Sequence, residues 1–439
     1  MSTPPTTDLT GRSAREAKRL FGGWFDELTA AADADQGAAY VFVMGSLAEL
    51  VRSFDMPIVF PEIHSLQMAV RHAAGDYLSE AEDYGYSPDV CGYVKADVAL
   101  QLRGGTHPLG RIPRPSIAIA TNACNTYIKW AEIWERLHGT PVVTIDVPGS
   151  RGAHDAVFGA APPASDLLFV ERQIRELIGQ LETVTGRGFD PERLREILAR
   201  VNAMADAWDR MLALGRERPS AYDALTEGTT FLGMANVFRG TAEGVTWFEQ
   251  LVEELATRRG SGTQEQHRLL FVGVPCYPIF RRFWELFSRW GGVFVGSTYL
   301  WFASGGLGNG FRYRLDDPVR SLAEGVLRGV RNATDAMLFH DATLVRAIDE
   351  YDADGVVYHP IKSCRTVSTG LADSRRAVLA RRDVGCLFIE SDMMDQRVVS
   401  EAQLRNRIDA FFEGLASRRL RLDARDDVAE AAIAAGGDR

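Results

Sequence analysis

The sequence predicts an α/β fold: two related doubly wound domains, each built on a four-stranded parallel sheet, with helical insertions and an N-terminal helix. The 439 residues are too many for one ordinary hydrophobic core, which indicates two or three domains. Short runs of Val, Ile, Phe and Ala between helical stretches are typical of strands buried in a parallel sheet. The order strand, short helix, strand, insertion, strand, helix, strand occurs twice, which predicts two copies of one architecture.

The predicted elements are placed along the chain as follows. The first four strands lie at 40–44, 57–60, 116–120 and 141–145, and the second four at 269–273, 293–297, 355–358 and 386–390. Helices at 46–54 and 125–138 connect the first set, and helices at 279–290 and 366–381 connect the second. Right-handed crossovers predict that all strands of a sheet end at the same edge, the Rossmann-like arrangement in which ligands bind.

This pattern divides the chain into five predicted segments. They are an N-terminal helical segment (1–38), a first α/β domain with an insertion (39–150), a helical connecting region (151–264), a second α/β domain (265–420) and a flexible tail (421–439). In the connecting region Asp190 is an N-cap residue and Pro191 suits the first helical position. The stretch 260–264, Gly-Ser-Gly-Thr-Gln, has the composition of a linker.

Composition limits the class of protein. A net charge of −10 argues against a general nucleic-acid binder. No apolar run of 18 residues occurs, so we expect no membrane span, and the N-terminus lacks the apolar stretch of a signal peptide. The expected location is therefore cytoplasmic. The phosphate-binding sequence G-x-x-x-x-G-K-[S/T] is absent, which predicts that any ATP hydrolysis belongs to a partner.

Three of the five cysteines lie at or near predicted helix starts. Cys124 and Cys364 come after the third strand of each domain, in equivalent positions, and Cys91 lies in the first insertion after Ser87-Pro-Asp. A helix N-terminus favours a thiolate, because its free N–H groups and dipole are positive. Three thiolates from separated segments suit an iron–sulfur cluster with one open iron, whereas structural zinc prefers close pairs. Three ordinary buried cysteines are the alternative.

The other two cysteines have simpler interpretations. Cys386 lies in an apolar strand and is expected to be part of the core. Cys276 follows the first strand of the second domain and is expected to be a half-buried free thiol.

Lysine is rare in this chain, and three of its four lysines lie within five residues of a cysteine: Lys95, Lys129 and Lys362. Arginine serves nearly everywhere else. An ammonium group differs from a guanidinium in reach and hydration, so these lysines are candidates for offsetting cluster charge or for meeting phosphate groups. Chance placement in an arginine-rich chain is the alternative.

Polar residues follow two strands of the first domain and are predicted to be catalytic. Ser46 follows the first strand and Glu62 the second, at the edge that carries Cys124. An acid in the first turn of a helix is the simpler interpretation of Glu62. The glycine-rich stretch 305–310 is expected to be a loop at the strand edge of the second domain, without the spacing for nicotinamide binding.

Several of these segments resemble the benzoyl-CoA reductase and 2-hydroxyacyl-CoA dehydratase family, and most closely the larger cluster-bearing subunit of its ATP-dependent reductases. The resemblance extends from about residue 20 to 415. It is carried by Pro57…Pro61-Glu-Ile and by the stretches 89–97, 124–132, 238–242, 361–364 and 407–412.

The resemblance implies a [4Fe-4S] cluster on Cys91, Cys124 and Cys364. It also implies a homologous second cluster-bearing subunit, an ATPase that supplies electrons, a low-potential donor such as ferredoxin, and a CoA thioester as substrate. Reductases of the family reduce an aromatic ring, as in benzoyl-CoA, to a cyclic diene. Dehydratases eliminate water through a ketyl radical. A non-catalytic scaffold subunit is the third possibility.

From its position after the second strand, Glu62 is expected to manage a proton or a hydrogen bond near the substrate carbonyl.

Overall fold

The computed structural model describes residues 11–149, 161–258, 265–338 and 341–436. Its strands are β1 Ala38–Val41, β2 Ile58–Val59, β3 Thr106–His107, β4 Gly110–Arg111, β5 Pro115–Thr121, β6 Val142–Ile145, β7 His267–Val272, β8 Gly292–Ser297, β9 Gly355–Tyr358 and β10 Gly385–Phe388. Its helices are α1 Arg12–Asp33, α2 Ala48–Ser53, α3 Pro61–Val70, α4 Ala74–Asp83, α5 Gly92–Leu102, α6 Asn125–His138, α7 Ala164–Thr185, α8 Pro191–Arg216, α9 Gly228–Val237, α10 Ala242–Thr257, α11 Phe280–Ser288, α12 Thr298–Phe302, α13 Pro318–Leu338, α14 Asp341–Glu350, α15 Arg365–Ser368, α16 Leu371–Arg381 and α17 Glu401–Gly436.

The two sheets share one strand order. The first is β2-β1-β5-β6 and the second is β10-β9-β7-β8. In each sheet the first and third strands of the set are neighbours at the centre. All pairings within these two sheets are parallel. The predicted pair of doubly wound sheets is thus confirmed. Each sheet has its switch point between its first and third strands, where ligands bind in folds of this type.

The outer strands also occupy equivalent places in the two sheets. The second strand of the first set, β2, pairs with β1, and the fourth strand, β6, pairs with β5. In the second set β8 pairs with β7 and β10 pairs with β9, which is the same scheme read from the other end. The predicted repeat therefore holds for the pairing of strands as well as for their order along the chain.

Predicted and observed elements differ where local signals are weak. The helix predicted at 366–381 is interrupted at Thr369–Gly370, which separates α15 from α16. The hairpin of β3 and β4 was missed because two-residue strands carry no periodicity. The helix predicted at 125–138 matches α6 residue for residue.

The helical connecting region packs against the first domain and α1. Asp190 caps α8 as predicted, since its carboxylate accepts hydrogen bonds from the N–H groups of Glu192 and Arg193. The indole of Trp247 in α10 donates to the Ser13 carbonyl in α1. These contacts hold the N-terminal helix against the body of the molecule.

Some predictions lie at or beyond the limits of the described residues. The linker 260–264 lies outside them, and so do residues 437–439 of the predicted tail, whereas α17 extends the helical backbone to Gly436. The strand β1 takes in residue 38, the last residue of the predicted N-terminal segment. The five-segment division itself stays a prediction. Across the described ranges, helices long and apolar enough to cross a bilayer do not occur.

Candidate active site

The three predicted cysteines stand at three helix starts. Cys91 is the N-cap residue of α5, Cys124 of α6 and Cys364 of α15, each with a non-helical backbone. Cys124 and Cys364 follow β5 and β9, so each lies at the switch point of its sheet. The helix start predicted from Ser87-Pro-Asp lies slightly too early, because residues 88–90 form a turn and α5 begins at Gly92.

The loops that carry these cysteines meet between the two domains. The sulfur of Cys124 lies 3.3 Å from the hydroxyl oxygen of Thr366, in the first turn of the helix that Cys364 caps. The N–H of Gly92 donates to the hydroxyl of Ser363 at 3.4 Å. The structure therefore brings all three cysteines together from segments far apart in sequence.

The sulfurs of Cys91 and Cys364 have matching surroundings. Backbone N–H groups of Tyr93 and Val94 lie near the sulfur of Cys91 and those of Thr366 and Val367 near the sulfur of Cys364, and each pair acts to lower the pKa of its thiol. Burial, together with the neighbouring cysteines, still raises the pKa of Cys91 well above its ordinary value and that of Cys364 to about 12. Closely spaced cysteine sulfurs near backbone N–H groups favour the binding of a positively charged metal centre, because such a centre binds the thiolate form.

A buried carboxylate fixes two of the cysteine-bearing helices to each other. Asp97 in α5 is fully buried and accepts hydrogen bonds of 2.7 Å from the indoles of Trp130 and Trp134 in α6. Gln101 donates to the second carboxylate oxygen, and His64 Nε2 lies 3.2 Å from the same atom. The relative position of Cys91 and Cys124 therefore depends on this buried network.

A second network positions the loop of Cys364. Asp392 is buried, and its carboxylate accepts from the N–H groups of Ser363, Met394 and Asp395. His359 joins the Val274 carbonyl and the Ser391 hydroxyl, both at 2.6 Å, and its burial lowers its pKa to about 4. Asp392 and His359 act as structural supports here.

Three cysteine sulfurs are the donor set that a [4Fe-4S] cluster with one open iron would take. Across the described part of the chain, no three His, Cys, Asp or Glu side chains converge closely enough to hold one metal ion. A four-iron cluster does not require such closeness, since each thiolate binds a different iron. Cys91, Cys124 and Cys364 are the residues that would hold it.

Glu62 occupies a buried position in the first turn of α3, as its sequence context predicted. Its Oε1 accepts a hydrogen bond of 2.5 Å from the hydroxyl of Tyr127 and one of 3.4 Å from the N–H of Val43. Its Oε2 is buried without a hydrogen-bond partner among the described residues. Burial raises the pKa of Glu62 to about 7, although the bond from Tyr127 opposes the shift.

Sequence reasoning missed a group of tyrosines around this acid. The hydroxyls of Tyr277 and Tyr299, both in the second domain, share a hydrogen bond of 3.1 Å. The buried hydroxyl of Tyr93 lies close enough to interact electrostatically with Tyr277, Tyr299 and Glu62. We call Tyr93, Tyr127, Tyr277 and Tyr299 the tyrosine cluster. Burial raises the pKa of each, that of Tyr299 to about 12. Three of them follow a cysteine within three positions, which is a usable sequence signal.

Ser46 is buried after β1, and its hydroxyl accepts a hydrogen bond from the N–H of Ala48 at 3.3 Å. The neighbouring Leu47 has a positive φ of 52°. The serine therefore stabilises the turn into α2, and its catalytic role stays a prediction.

Two of the three lysines near the cysteines bond to groups other than the cysteines. The ammonium of Lys95 is buried and bonds to Glu82 and to the Pro88 carbonyl, both at 2.8 Å. Lys129 pairs on the surface with Glu132, and Lys362 is exposed. None of these contacts joins a lysine to the sulfurs of the three cysteines. The proposed role of the lysines toward a cluster therefore stays a prediction.

The two remaining cysteines differ from expectation. Cys276, expected to be half-buried, is fully buried, and burial raises its pKa to about 11. Cys386, expected to be core, is half-buried because β10 is an edge strand. The sequence alone did not show which strand would lie at the edge.

Comparison of the sequence with known proteins shows the family of this chain. The sequence profile of the family "2-hydroxyglutaryl-CoA dehydratase, D-component" matches residues 44–415, most of the chain. The chain belongs to this family. It is 32% identical to a benzoyl-CoA reductase subunit of Thauera aromatica, over 92% of this chain and 94% of that protein.

More distant relatives of the family are dehydratase subunits. The chain is 25% identical to "(R)-2-hydroxyisocaproyl-CoA dehydratase alpha subunit" of Clostridioides difficile, over 84% of this chain and 88% of that protein. It is 24% identical to "(R)-phenyllactyl-CoA dehydratase alpha subunit" of Clostridium sporogenes, over the same two shares. The family resemblance expected from the cysteine stretches is confirmed, and this family member is part of an enzyme complex.

Proposed function

We propose that this family member is the cluster-bearing subunit of an ATP-dependent aromatic acyl-CoA reductase that reduces a thioester such as benzoyl-CoA. The observation that carries the proposal is the meeting of Cys91, Cys124 and Cys364 at three helix N-termini between the domains. The higher identity to a benzoyl-CoA reductase subunit than to the dehydratase subunits favours reduction. When bound, a [4Fe-4S] cluster supplies single electrons at low potential.

The residues of this chain would manage protons and water during the reaction. Reduction of a benzene ring to a cyclic diene consumes a pair of electrons and a pair of protons. Glu62 is suited to hold one proton at Oε2, because its pKa of about 7 leaves both protonation states populated near neutral pH. Tyr127 holds the other carboxylate oxygen and so fixes the direction of Oε2. The rings of the tyrosine cluster, three of them buried and that of Tyr299 half-buried, would exclude water that would otherwise compete for electrons.

The proposed complex contains further components. A homologous second cluster-bearing subunit and an ATPase that receives electrons from a donor such as ferredoxin would complete the path to the substrate. The absence of a phosphate-binding G-x-x-x-x-G-K-[S/T] sequence supports the assignment of ATP hydrolysis to that ATPase.

A dehydratase subunit is the second candidate, because the matching family profile carries a dehydratase name and the dehydratase relatives cover 84% of the chain. A non-catalytic scaffold subunit is the third. Electron stoichiometry separates the two enzymes, since a reductase consumes reductant with every product molecule and a dehydratase needs it only for activation.

The test is anaerobic co-expression of the chain with its neighbouring genes, followed by iron analysis and an assay with benzoyl-CoA and a reduced donor. We expect about four irons held by this chain and one electron pair consumed per ring reduced. Water elimination from a 2-hydroxyacyl-CoA without net electron use would identify a dehydratase. A chain without iron or cluster absorbance would refute the proposal.

A further inference from the structure

Two tyrosine hydroxyls of the second domain lie near the buried acid Glu62. The hydroxyl of Tyr277 donates a hydrogen bond of 3.1 Å to the hydroxyl oxygen of Tyr299. Tyr277 is buried, whereas Tyr299 is half-buried and the bond between the two hydroxyls is only partly shielded from solvent. Helix α3, which carries Glu62 in its first turn, packs against the turn Tyr277–Ile279. The pair of hydroxyls therefore extends from the neighbourhood of Glu62 toward the solvent.

Oxygen Oε2 of Glu62 is the atom of this region that is open to a proton. Oε1 already accepts a hydrogen bond from Tyr127, whereas Oε2 is buried with no partner in the described ranges. The hydroxyl of Tyr93 is likewise buried and unpartnered there, and it interacts electrostatically with Glu62 and Tyr299. Buried polar atoms are nearly always hydrogen-bonded, to ordered water where protein groups do not reach them. These atoms are suited to share one ordered water.

The direction of the hydrogen bond between the two tyrosines leaves one proton for Glu62. A phenol has a single proton, and its oxygen can accept as well as donate. Since the oxygen of Tyr299 accepts from Tyr277, the proton of Tyr299 is available to another acceptor. Tyr299 and Glu62 are close enough to interact electrostatically. The unpaired Oε2 is the acceptor that matches this proton, directly or through one water.

Local contacts hold both tyrosines in place. The hydroxyl oxygen of Ser297 accepts from the N–H of Tyr299 at 3.1 Å and so caps α12. The ring of Tyr299 packs against that of Phe302 at a centroid distance of 5.4 Å, and the ring of Tyr277 packs against Phe280 at 5.8 Å. Burial raises the pKa of Tyr299 to about 12, so this residue stays a phenol near neutral pH. The two hydroxyls are therefore fixed relative to each other by contacts of the second domain.

We infer that Tyr299 carries protons between solvent and Oε2 of Glu62, and that Tyr277 is the positioning residue that orients the Tyr299 hydroxyl. In one transfer the oxygen of Tyr299 accepts a proton from a solvent hydronium while its own proton passes to the carboxylate. The hydronium becomes water, the carboxylate becomes a carboxylic acid, and the phenol is unchanged. The inference rests on the proposed function only in that each ring reduction consumes the proton that Glu62 holds.

The groups that set the pKa of Glu62 differ from the pair that delivers its proton. Burial raises this pKa most, the hydroxyl of Tyr127 and the backbone N–H groups of Glu62 and Val43 lower it, and the charge of Asp97 raises it. Tyr299 carries no charge near neutral pH and is not one of these groups. A change at Tyr299 is therefore expected to alter the rate at which Glu62 gains a proton, and not its pKa.

The test is a pH jump on the full-length chain, purified anaerobically, without substrate, and followed by time-resolved infrared spectroscopy. The carboxyl band of Glu62, identified by its loss in Glu62→Gln, reports the protonation. We expect Tyr299→Phe to slow this protonation about a hundredfold, the low end of what a positioned proton-transfer group contributes, with the Glu62 pKa still at about 7. Tyr277→Phe should slow it less. Tyr84→Phe, at an exposed tyrosine, is the control and should keep the wild-type rate.

The outcomes separate this role of Tyr299 from a structural one. A wild-type protonation rate in Tyr299→Phe overturns the inference, and so does a slower rate with a shifted pKa, which would show that Tyr299 stabilises one form of Glu62. If Tyr299→Phe does not yield folded protein, an unchanged rate in Tyr277→Phe overturns it.

The same measurement separates the inference from the proposed function, because the rate is observed without turnover. Slower protonation in Tyr299→Phe, in a chain whose complex reduces no aromatic thioester, refutes the proposed function alone. An active reductase complex with unchanged protonation in Tyr299→Phe refutes the role of Tyr299 alone.

Discussion

The hydroxyl of Tyr127 lies 2.5 Å from Oε1 of Glu62, and both side chains are buried. The two residues belong to different helices, α6 and α3, and Tyr127 follows Cys124 by less than one helical turn. The hydrogen bond lowers the pKa of Glu62 against the larger opposite effect of burial. This pair therefore links the helix that a cysteine caps to the acid best placed to hold a proton.

Replacement of Tyr127 by Phe should raise the pKa of Glu62 above about 7, because it removes the hydrogen bond that stabilises the carboxylate. Infrared titration of the carboxyl band of Glu62, identified by its loss in Glu62→Gln, measures this shift. Tyr84→Phe, at an exposed tyrosine, is the control and should leave the band unchanged. A Glu62 pKa that stays at or below the wild-type value in Tyr127→Phe contradicts the prediction.

Glu62→Gln should change how stability depends on pH. Burial raises the folded-state pKa of Glu62 from 4.5 to about 7, so the native state binds more protons than the unfolded state between these values. As pH rises through that interval, the contribution of Glu62 therefore lowers the free energy of unfolding of the wild type by about 3 kcal/mol. The Gln variant lacks this loss. Urea unfolding of both proteins at pH 5 and pH 8 measures the difference. If stability depends on pH equally in both proteins, the pKa of Glu62 is not raised in the folded state.

Cys124→Ser should abolish or strongly reduce iron binding, because one of three cluster ligands is lost. Cys386→Ser, a half-buried thiol in the edge strand β10, is the matched control and should retain wild-type iron. Iron analysis and visible absorbance after anaerobic purification measure both. Wild-type iron content together with full activity of the complex in Cys124→Ser would favour the scaffold interpretation.

Lys95→Met should lower the free energy of unfolding by about 2 kcal/mol, because it removes a buried ammonium from Glu82 and the Pro88 carbonyl. Lys129→Met should change it by less than about 0.5 kcal/mol, since Lys129 is 68% exposed and pairs with Glu132 across one helical turn. Denaturant unfolding compares the two. Equal changes in the free energy of unfolding would show that the burial of Lys95 does not make its ion pair more stabilising than that of Lys129.

Gly92→Ala should separate the Cys91 helix from the second domain. A Cβ at Gly92 would lie 2.6 Å from the Cβ of Met394, and neither atom can move without a backbone shift. We expect a loss of about 1–3 kcal/mol of stability, typical of overpacking, together with reduced iron content. Gly75→Ala in α4, where a Cβ meets nothing within 4 Å, should leave both properties close to wild type. Full iron content in Gly92→Ala would show that the contact with Met394 does not position Cys91.

The sequence determined the local features of this protein. Hydrophobic runs located the eight strands of the two sheets, and the repeated order predicted their shared topology, since periodicity and turn residues act over a few positions. The cysteines at the starts of α5, α6 and α15 were predictable for the same reason, because capping depends on adjacent residues. The short hairpin and the interruption of the helix after Cys364 were missed, because segments of two to four residues carry little pattern.

The tertiary structure decided which side chains meet. Lys95 and Lys129 both follow a cysteine closely, yet one is buried against Glu82 and the other is exposed, since helix orientation rather than sequence distance sets the environment. The tyrosine cluster joins residues from both domains, and no local rule relates Tyr93 to Tyr299. The architecture and the candidate ligands were thus determined by the sequence by itself. The surroundings of Glu62 arose only when the domains packed together, because contacts between segments far apart depend on the whole fold.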